Sequence, residues 1–249
     1  MRVAREVAGG RRTLRSVWEP RLLEAVNLLS RPLATSTTDD PYHRTIAWFL
    51  EQPEARERVL EVGARNSTMR ARLAPTADYV GLDVHRGRDV DVAGDVHELS
   101  SIVDGPFDAV ISISTFEHLA MPWQAVLEIN RVCRDGALVL VTTHPAWPPH
   151  EQPWDFWRFS AAAFGVLFGA PMGFELVHAT EGLPGVILPL GTEASTRTVH
   201  RIPVSMGVSI VARKIGEPDP RLRWDLTARD VLRTSYPLPR GVAPCGACE

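Results

Sequence analysis

The stretch VLEVGARNSTMRARL, residues 59–73, decides how the rest of the chain is read. Val59, Leu60 and Val62 form a short apolar run that reads as a buried strand. It ends in Glu61-Val62-Gly63, where a dinucleotide fold would continue Gly-x-Gly-x-x-Gly. The positions of the later glycines hold Arg65 and the run Asn66 to Arg70 instead. In a dinucleotide site the second glycine lets the backbone approach a pyrophosphate, and the helix N-terminus behind it offsets the negative charge. An arginine there obstructs that approach.

Outward from this loop, short apolar runs alternate with helical patterns. RVLEVG, DYVGLD, FDAVISIS and ALVLVTT read as strands, whereas STMRARLA and PWQAVLEINRVC read as helices, the second closed by Arg134-Asp135-Gly136. Such alternation predicts a parallel sheet covered on both faces, so the fold class is α/β, a doubly wound, mostly parallel sheet. Further on, Ser160 is placed to cap a helix through AAAFGVLFG, and FELVHAT and VSMGVSIVARK read as an antiparallel strand pair separated by an irregular stretch from Gly182 to Pro203, the length of a lid or binding loop. Upstream, Leu14, Val17, Trp18, Leu22, Val26 and Leu29 mark one face of an arginine-rich helix, packed onto the main domain in our reading, and YHRTIAWFLEQ marks a second helix after the linker-like ATSTTDDP. The expected organisation is a helical segment and linker over residues 1–57, a sheet domain over 58–215, and an extension over 216–249 with one short helix at LTARDVLR.

A chain of 249 residues with 45% hydrophobic and 23% charged residues is an ordinary globular composition. The net charge of −3 gives no basic track for nucleic acid or anionic membrane. Three cysteines, Cys133, Cys245 and Cys248, make no disulfide framework, and Cys245-Gly-Ala-Cys248 lacks the second pair or histidines of a zinc site. With no apolar run long enough for a membrane span and no signal-like N-terminus, the expected setting is cytoplasmic, as a monomer or homo-oligomer.

Glu61, Asp83 and Asp95 each fall at or just after the carboxyl end of a strand, where a diphosphate would be repelled. A cofactor with ribose, adenine, an amino group and a positive sulfonium suits such a set. From Arg58 to Thr143 the chain resembles the class I S-adenosylmethionine-dependent methyltransferases, more weakly on to Lys214. VLEVGAR is similar to the first motif of that family, YVGLDVHRG to the second, VDVAGDVHEL to the third, and FDAVISISTFEHL with EINRVCRDGALVLV to the fourth and fifth strand region. The resemblance implies S-adenosyl-L-methionine as cofactor. It assigns contacts to Glu61 for the amino group, Gly63, Ala64 and Arg65 in the loop, Asp83 and Val84 at the ribose, and Asp95 and Val96 at the adenine, with Ser114 to His118 at the site's edge and Ser114 among the cofactor contacts. The Arg65 side chain is expected to turn away or to meet the methionine carboxylate. Taken singly, Asp83 and Asp95 read equally well as turn or cap residues; motif order favours ligand contacts.

The segment THPAWPPHEQPWDFWRFS, residues 143–160, follows the fifth strand, at the sheet edge where a doubly wound fold holds its second ligand. Trp147, Glu151 and Trp154 are the acceptor-side residues of this reading, while Phe156 and Phe159 anchor the following helix. A hydroxyl acceptor has to lose a proton, which makes His144 and His118, with His150 behind them, the general-base candidates. His118, His144, His150 and Glu151 also offer donors for a divalent cation, but without a fixed ligand spacing, and no metal is assigned. The expected activity is methyl transfer to a small molecule: a hydroxyl of a sugar, glycan precursor or secondary metabolite. The alternatives are a metal-assisted O-methyltransferase, a nicotinamide dehydrogenase, which the loop chemistry opposes, and a catalytically silent binding or scaffold protein.

Overall fold

The computed structural model describes residues 39–189, 193–196, 198–199, 202–224, 226–232 and 234–236. The helix expected over residues 11–34, most of the linker after it, and Cys245 and Cys248 lie outside the described residues. The chain divides into two compact units, Met1–Asp39 and Asp40–Glu249; the first lies outside the described residues apart from Asp39.

The second unit opens with helix α1 (Pro41–Glu51). Asp40 caps it, accepting from the Tyr42 N–H at 3.0 Å, and Pro41 occupies the first turn, where no backbone donor is missed. Tyr42, Thr45, Ile46 and Phe49 form its buried stripe. This stripe packs against β6 and β7, so the boundary expected at residue 57 falls inside this unit.

Seven strands follow: β1 (Arg58–Val62), β2 (Asp78–Asp83), β3 (Val92–Ala93), β4 (Phe107–Ile113), β5 (Cys133–Thr143), β6 (Phe174–Gly185) and β7 (Val204–Lys214). They lie in the order β3-β2-β1-β4-β5-β7-β6. β1 to β5 are parallel, and β7 runs antiparallel between β5 and β6. This is the doubly wound, mostly parallel sheet with the antiparallel strand pair that the sequence predicts. Chain direction across the sheet reverses between β1 and β4, and in such sheets ligands bind beyond the strand ends at that point.

The pleat sorts side chains onto two cores. Leu60 and Val62 join Leu82, Val110 and Phe116 on one face, whereas Val59 joins Ala109, Ile111 and Leu138 under α1 on the other. Glu61, one residue from each, shares the face of Val59. On the first core lie α2 (Leu99–Ile102), α3 (Pro122–Val132) and α4 (Ala161–Leu167), the last capped by Ser160 as expected. α5 (Ala228–Val231) is the short helix of the extension. None of the described helices is long and apolar enough to cross a membrane.

Three elements depart from the sequence reading. No α-helix forms over STMRARLA; a single 3₁₀ turn, Arg70–Arg72, stands there. Pro75 closes the segment, only Met69 and Leu73 are buried, and the Ser67 hydroxyl is drawn inward to Glu61. β5 begins directly at Cys133, opposite Phe107, instead of after a turn, with Gly136 at φ 84° inside the strand. β6 runs on to Gly185 and pairs Gly182–Gly185 with Val204–Gly207, which shortens the expected irregular stretch.

Candidate active site

A cleft opens beyond the carboxyl ends of β1, β2 and β4. It encloses about 790 Å³, counting the part open to solvent. Its floor is the loop after β1. Gly63 turns there at φ 84°, and a Cβ on it would sit 1.9 Å from Thr115 Oγ1, so only glycine fits. Every amide of this loop is already used by the protein. The Gly63 and Ala64 N–H groups both donate to Leu82 O, at 2.8 and 3.0 Å; Asn66 N–H donates to Arg88 O at 3.0 Å, and Ser67 N–H to Ala64 O at 3.0 Å. The Arg65 N–H approaches Asp83 Oδ2 at 3.4 Å. A phosphate-binding loop aims such amides at its ligand and backs them with a helix N-terminus. Here both devices are missing.

Carboxylates define the wall of the cleft. Asp83, ending β2, accepts from the His85 N–H at 2.9 Å and faces Arg65 Nε at 3.5 Å. Asp95 caps the 3₁₀ turn Val96–Glu98, and its Oδ1 takes the His97 N–H at 3.0 Å and His97 Nδ1 at 2.6 Å. The Met121 N–H donates to His97 Nε2, which fixes the His97 proton on Nδ1. Burial pushes the Asp95 carboxyl upward, but the hydrogen bonds from His97 outweigh it and leave the group below the usual carboxylate value. The cap reading and the wall position therefore hold together for Asp95. Tyr236 closes the outer side, edge-on to His85, His118 and Trp154, its hydroxyl pushed up to about 12 by burial.

Of the expected cofactor residues, Gly63, Arg65, Asp83, Val84, Asp95, Val96 and Ser114 line the cleft. Glu61 and Ala64 do not. The pleat sends Glu61 to the opposite face, where its carboxylate accepts from Ser67 Oγ at 2.5 Å and from Tyr79 OH at 2.6 Å. Burial raises its pKa against those two bonds. The Arg65 guanidinium lies against Asp83.

At the end of the cleft beside Ser114 and His118, two segments are bound to each other. The turn Phe116–His118 follows β4, and the segment 144–160 follows β5. The Phe156 and Trp157 N–H groups both donate to Glu117 O, His118 Nδ1 lies 2.6 Å from Trp154 O, and Trp157 Nε1 donates to Leu119 O at 2.7 Å. Arg158 holds the segment together, bonding both Asp155 oxygens and the carbonyls of Trp147 and Pro148. Its guanidinium holds the Asp155 carboxyl down to about 2.

The result is a buried carboxylate facing imidazoles. Glu117 is 0% exposed. Thr143 Oγ1 donates to its Oε2 at 2.5 Å, and its Oε1 makes no hydrogen bond among the described residues. His144 Nε2 stands 3.4 Å from that oxygen and His150 Nε2 4.0 Å. His144 also contacts Ser114 Oγ at 3.3 Å and stacks on the ring of Trp147, which is 44% exposed. Burial lowers the His144 pKa, while Glu117 pulls it the other way. Of the expected acceptor residues, Trp147 is open to solvent beside His144. Trp154 is buried in the cleft wall with Nε1 on Thr234, and Glu151 is exposed and outside the cluster. Phe159 anchors α4 by stacking on Phe164 as expected, but Phe156 is partly exposed.

Thr115 and Glu117 fall within the Ser114–His118 run expected at the site's edge, with no role given to either, whereas His97 and Tyr236 were not expected at the site. The adjacency Glu117-His118 directly after a strand was the one signal for Glu117. Tyr236 returns from the extension, and nothing local announces it.

Residues 60–141 match the family model described as a methyltransferase domain. No curated protein matches the chain. Among solved structures, a putative methyltransferase of Bacillus halodurans C-125 is 14% identical with a TM-score of 0.55, covering 71% of this chain and 99% of that one. A SAM-dependent methyltransferase of Archaeoglobus fulgidus is 16% identical with a TM-score of 0.51, covering 77% and 94%. The 1,6-didemethyltoxoflavin-N1-methyltransferase of Burkholderia thailandensis, with 1,6-didemethyltoxoflavin and S-adenosylhomocysteine bound, is 14% identical with a TM-score of 0.52, covering 82% and 93%. At these identities the likeness is one of fold. The strands β1 to β5 around the switch-point cleft are thus similar to a methyltransferase domain, in a fold shared with S-adenosylmethionine-dependent methyltransferases.

Proposed function

We propose that this protein transfers a methyl group from S-adenosylmethionine to a hydroxyl oxygen of a small molecule, of the sugar, glycan-precursor or secondary-metabolite kind. The observation that carries this reading is the buried Glu117 carboxylate facing His144 beside Ser114, at one end of the cleft. A hydroxyl acceptor needs a proton acceptor at that place; an amine does not.

The donor set fits the cofactor. S-adenosylmethionine, when bound, supplies a methyl group on a positive sulfonium. Asp83 and Asp95 offer carboxylate oxygens to ribose hydroxyls and to the adenine amino group. The loop 63–67, with its amides spent on the protein, has nothing to offer a diphosphate. Gly63 lets the chain pass close beneath the cleft. Asp95 Oδ1 is engaged by His97, which leaves Oδ2 for the ligand, and Val96 carries the amide at the start of the same turn.

At the other end His144 takes the acceptor proton on Nε2. Burial keeps its imidazole neutral, Trp147 holds the ring flat, and Glu117 stabilises the cation that forms. S-adenosylmethionine held by Asp83 and Asp95 would supply the methyl carbon to the acceptor oxygen, with the carbon–sulfur electron pair going to sulfur. Holding the two reactants in line supplies about 7–11 kcal/mol of the acceleration. The exposed face of Trp147 suits a flat or sugar-like acceptor, and the net charge of −3 disfavours nucleic acid.

The test is a panel of hydroxyl and amine acceptors incubated with the purified chain and methyl-labelled cofactor. Label is expected on hydroxyl acceptors, lost in His144→Gln while S-adenosylhomocysteine still binds. Label on amines alone, or a His144→Gln rate equal to wild type, would refute the reading.

A further inference from the structure

Among the described residues, Glu117 Oε1 is a buried carboxylate oxygen that makes no hydrogen bond. A fully buried carboxylate oxygen without a donor costs free energy, and natural structures retain such a group where a ligand completes it. One nitrogen each from His118 and His150 and one oxygen of Glu117 all lie within 4.8 Å of one another. Ligands about 2.1 Å from a shared ion stand roughly 3.5 Å apart, so small side-chain rotations close this set.

The surroundings orient these groups as they would around an ion. His118 Nδ1 is turned to Trp154 O at 2.6 Å, and His150 Nδ1 to Pro148 O at 3.2 Å, with Asp155 Oδ2 at 3.6 Å. Each imidazole thus spends its Nδ1 proton on the protein and keeps the Nε2 lone pair for the cluster. Thr143 Oγ1 fixes the second oxygen of Glu117. Ligating histidines are held in this manner, by a carbonyl or carboxylate on the other ring nitrogen. Glu151, the donor expected from the sequence, is not in the set; Glu117 stands in its place.

We infer that Glu117, His118 and His150 form a binding site for one divalent first-row transition ion, of the zinc, iron, cobalt or nickel kind, beside the acceptor end of the cleft. Two imidazoles and one carboxylate suit such ions, whereas Mg²⁺ and Ca²⁺ take oxygen donors. His144 Nε2 stands 3.4 Å from the shared Glu117 oxygen, outside this set of three. Ion binding stands by itself. Its consequence, an acceptor hydroxyl bound and acidified there before His144 takes the proton, rests on the proposed methyl transfer.

The full chain, stripped with chelator and titrated with Co²⁺ by visible absorption, tests the site. One equivalent is expected to bind with d–d bands and to be displaced by Zn²⁺. His150→Ala should weaken Co²⁺ binding about tenfold to a hundredfold or more, with S-adenosylhomocysteine binding retained, since His150 does not line the cleft. Glu117→Gln should abolish the bands, and His43→Ala, outside the cluster, should leave them unchanged. No saturable uptake by the wild type, or uptake in His150→Ala and Glu117→Gln equal to that of the wild type, overturns the inference. A chain that binds S-adenosylhomocysteine but no Co²⁺ refutes the ion site and leaves the methyl-transfer reading intact; one that binds Co²⁺ but methylates nothing does the reverse.

Discussion

At the cofactor end of the cleft, Asp83 and Asp95 sit on strand ends or the first residue of a turn, and each is held by an amide only two residues away. At the acceptor end, Glu117, His118, His144 and His150 come from two loops joined by hydrogen bonds to Glu117 O and to Trp154 O. The first end is built by local backbone geometry and the second by tertiary stapling. Damage to the first should therefore appear in binding, and damage to the second in turnover.

Glu117→Gln should give the largest effect, because it removes the charge that faces the imidazoles while keeping the side chain's shape. Turnover is expected to fall by about 10²–10⁴, with S-adenosylhomocysteine affinity unchanged by calorimetry. A binding loss of similar size would erase the distinction between the two ends. Asp83→Ala should do the opposite, weakening S-adenosylhomocysteine by about 2 kcal/mol, or roughly thirtyfold. Loss of turnover at saturating cofactor without that binding change would place Asp83 in the wrong half.

Arg158→Ala should act at the acceptor end from a distance. Its bonds to Asp155, Trp147 and Pro148 position the segment that carries His144 and His150. A drop of about tenfold in kcat is expected from the loosened geometry, with cofactor affinity intact; an unchanged kcat would mean the segment holds without it.

The smallest effect expected is one of pH. The Asp95 carboxyl titrates below its ordinary 3.8. It is therefore charged at every pH above that value, and what it contributes to binding and to the cap is lost only as pH falls through the lowered pKa. S-adenosylhomocysteine affinity should stay level from about pH 8 to about pH 5; a decline already near pH 6 in calorimetry would assign the contact to a histidine.

What was legible follows the same division. Strand ends are written in local pattern, and so the sheet, its antiparallel pair, Asp83, Asp95 and the Ser160 cap were readable. Glu61 was placed at the cofactor by motif position, whereas the pleat that Val59 and Val62 fix turns it toward Ser67 and Tyr79. The helix expected over STMRARLA fails for a tertiary reason: Ser67 bonds Glu61, and Arg70 lies over the Tyr79 ring and pairs with Asp91. Glu117 was placed at the site's edge without a role, because a glutamate beside a histidine looks like a surface pair until the segment 144–160 folds over it. Tyr236 needed the chain's return from the extension.

The loop after β1 remains the point on which the whole reading turns, since its amides are spent within the protein. Isothermal titration of the purified chain with S-adenosylhomocysteine and, separately, with NAD⁺ tests it most directly. Saturable heat with S-adenosylhomocysteine and none with NAD⁺ is expected. Tight NAD⁺ binding, or silence with the adenosyl thioether, would contradict it.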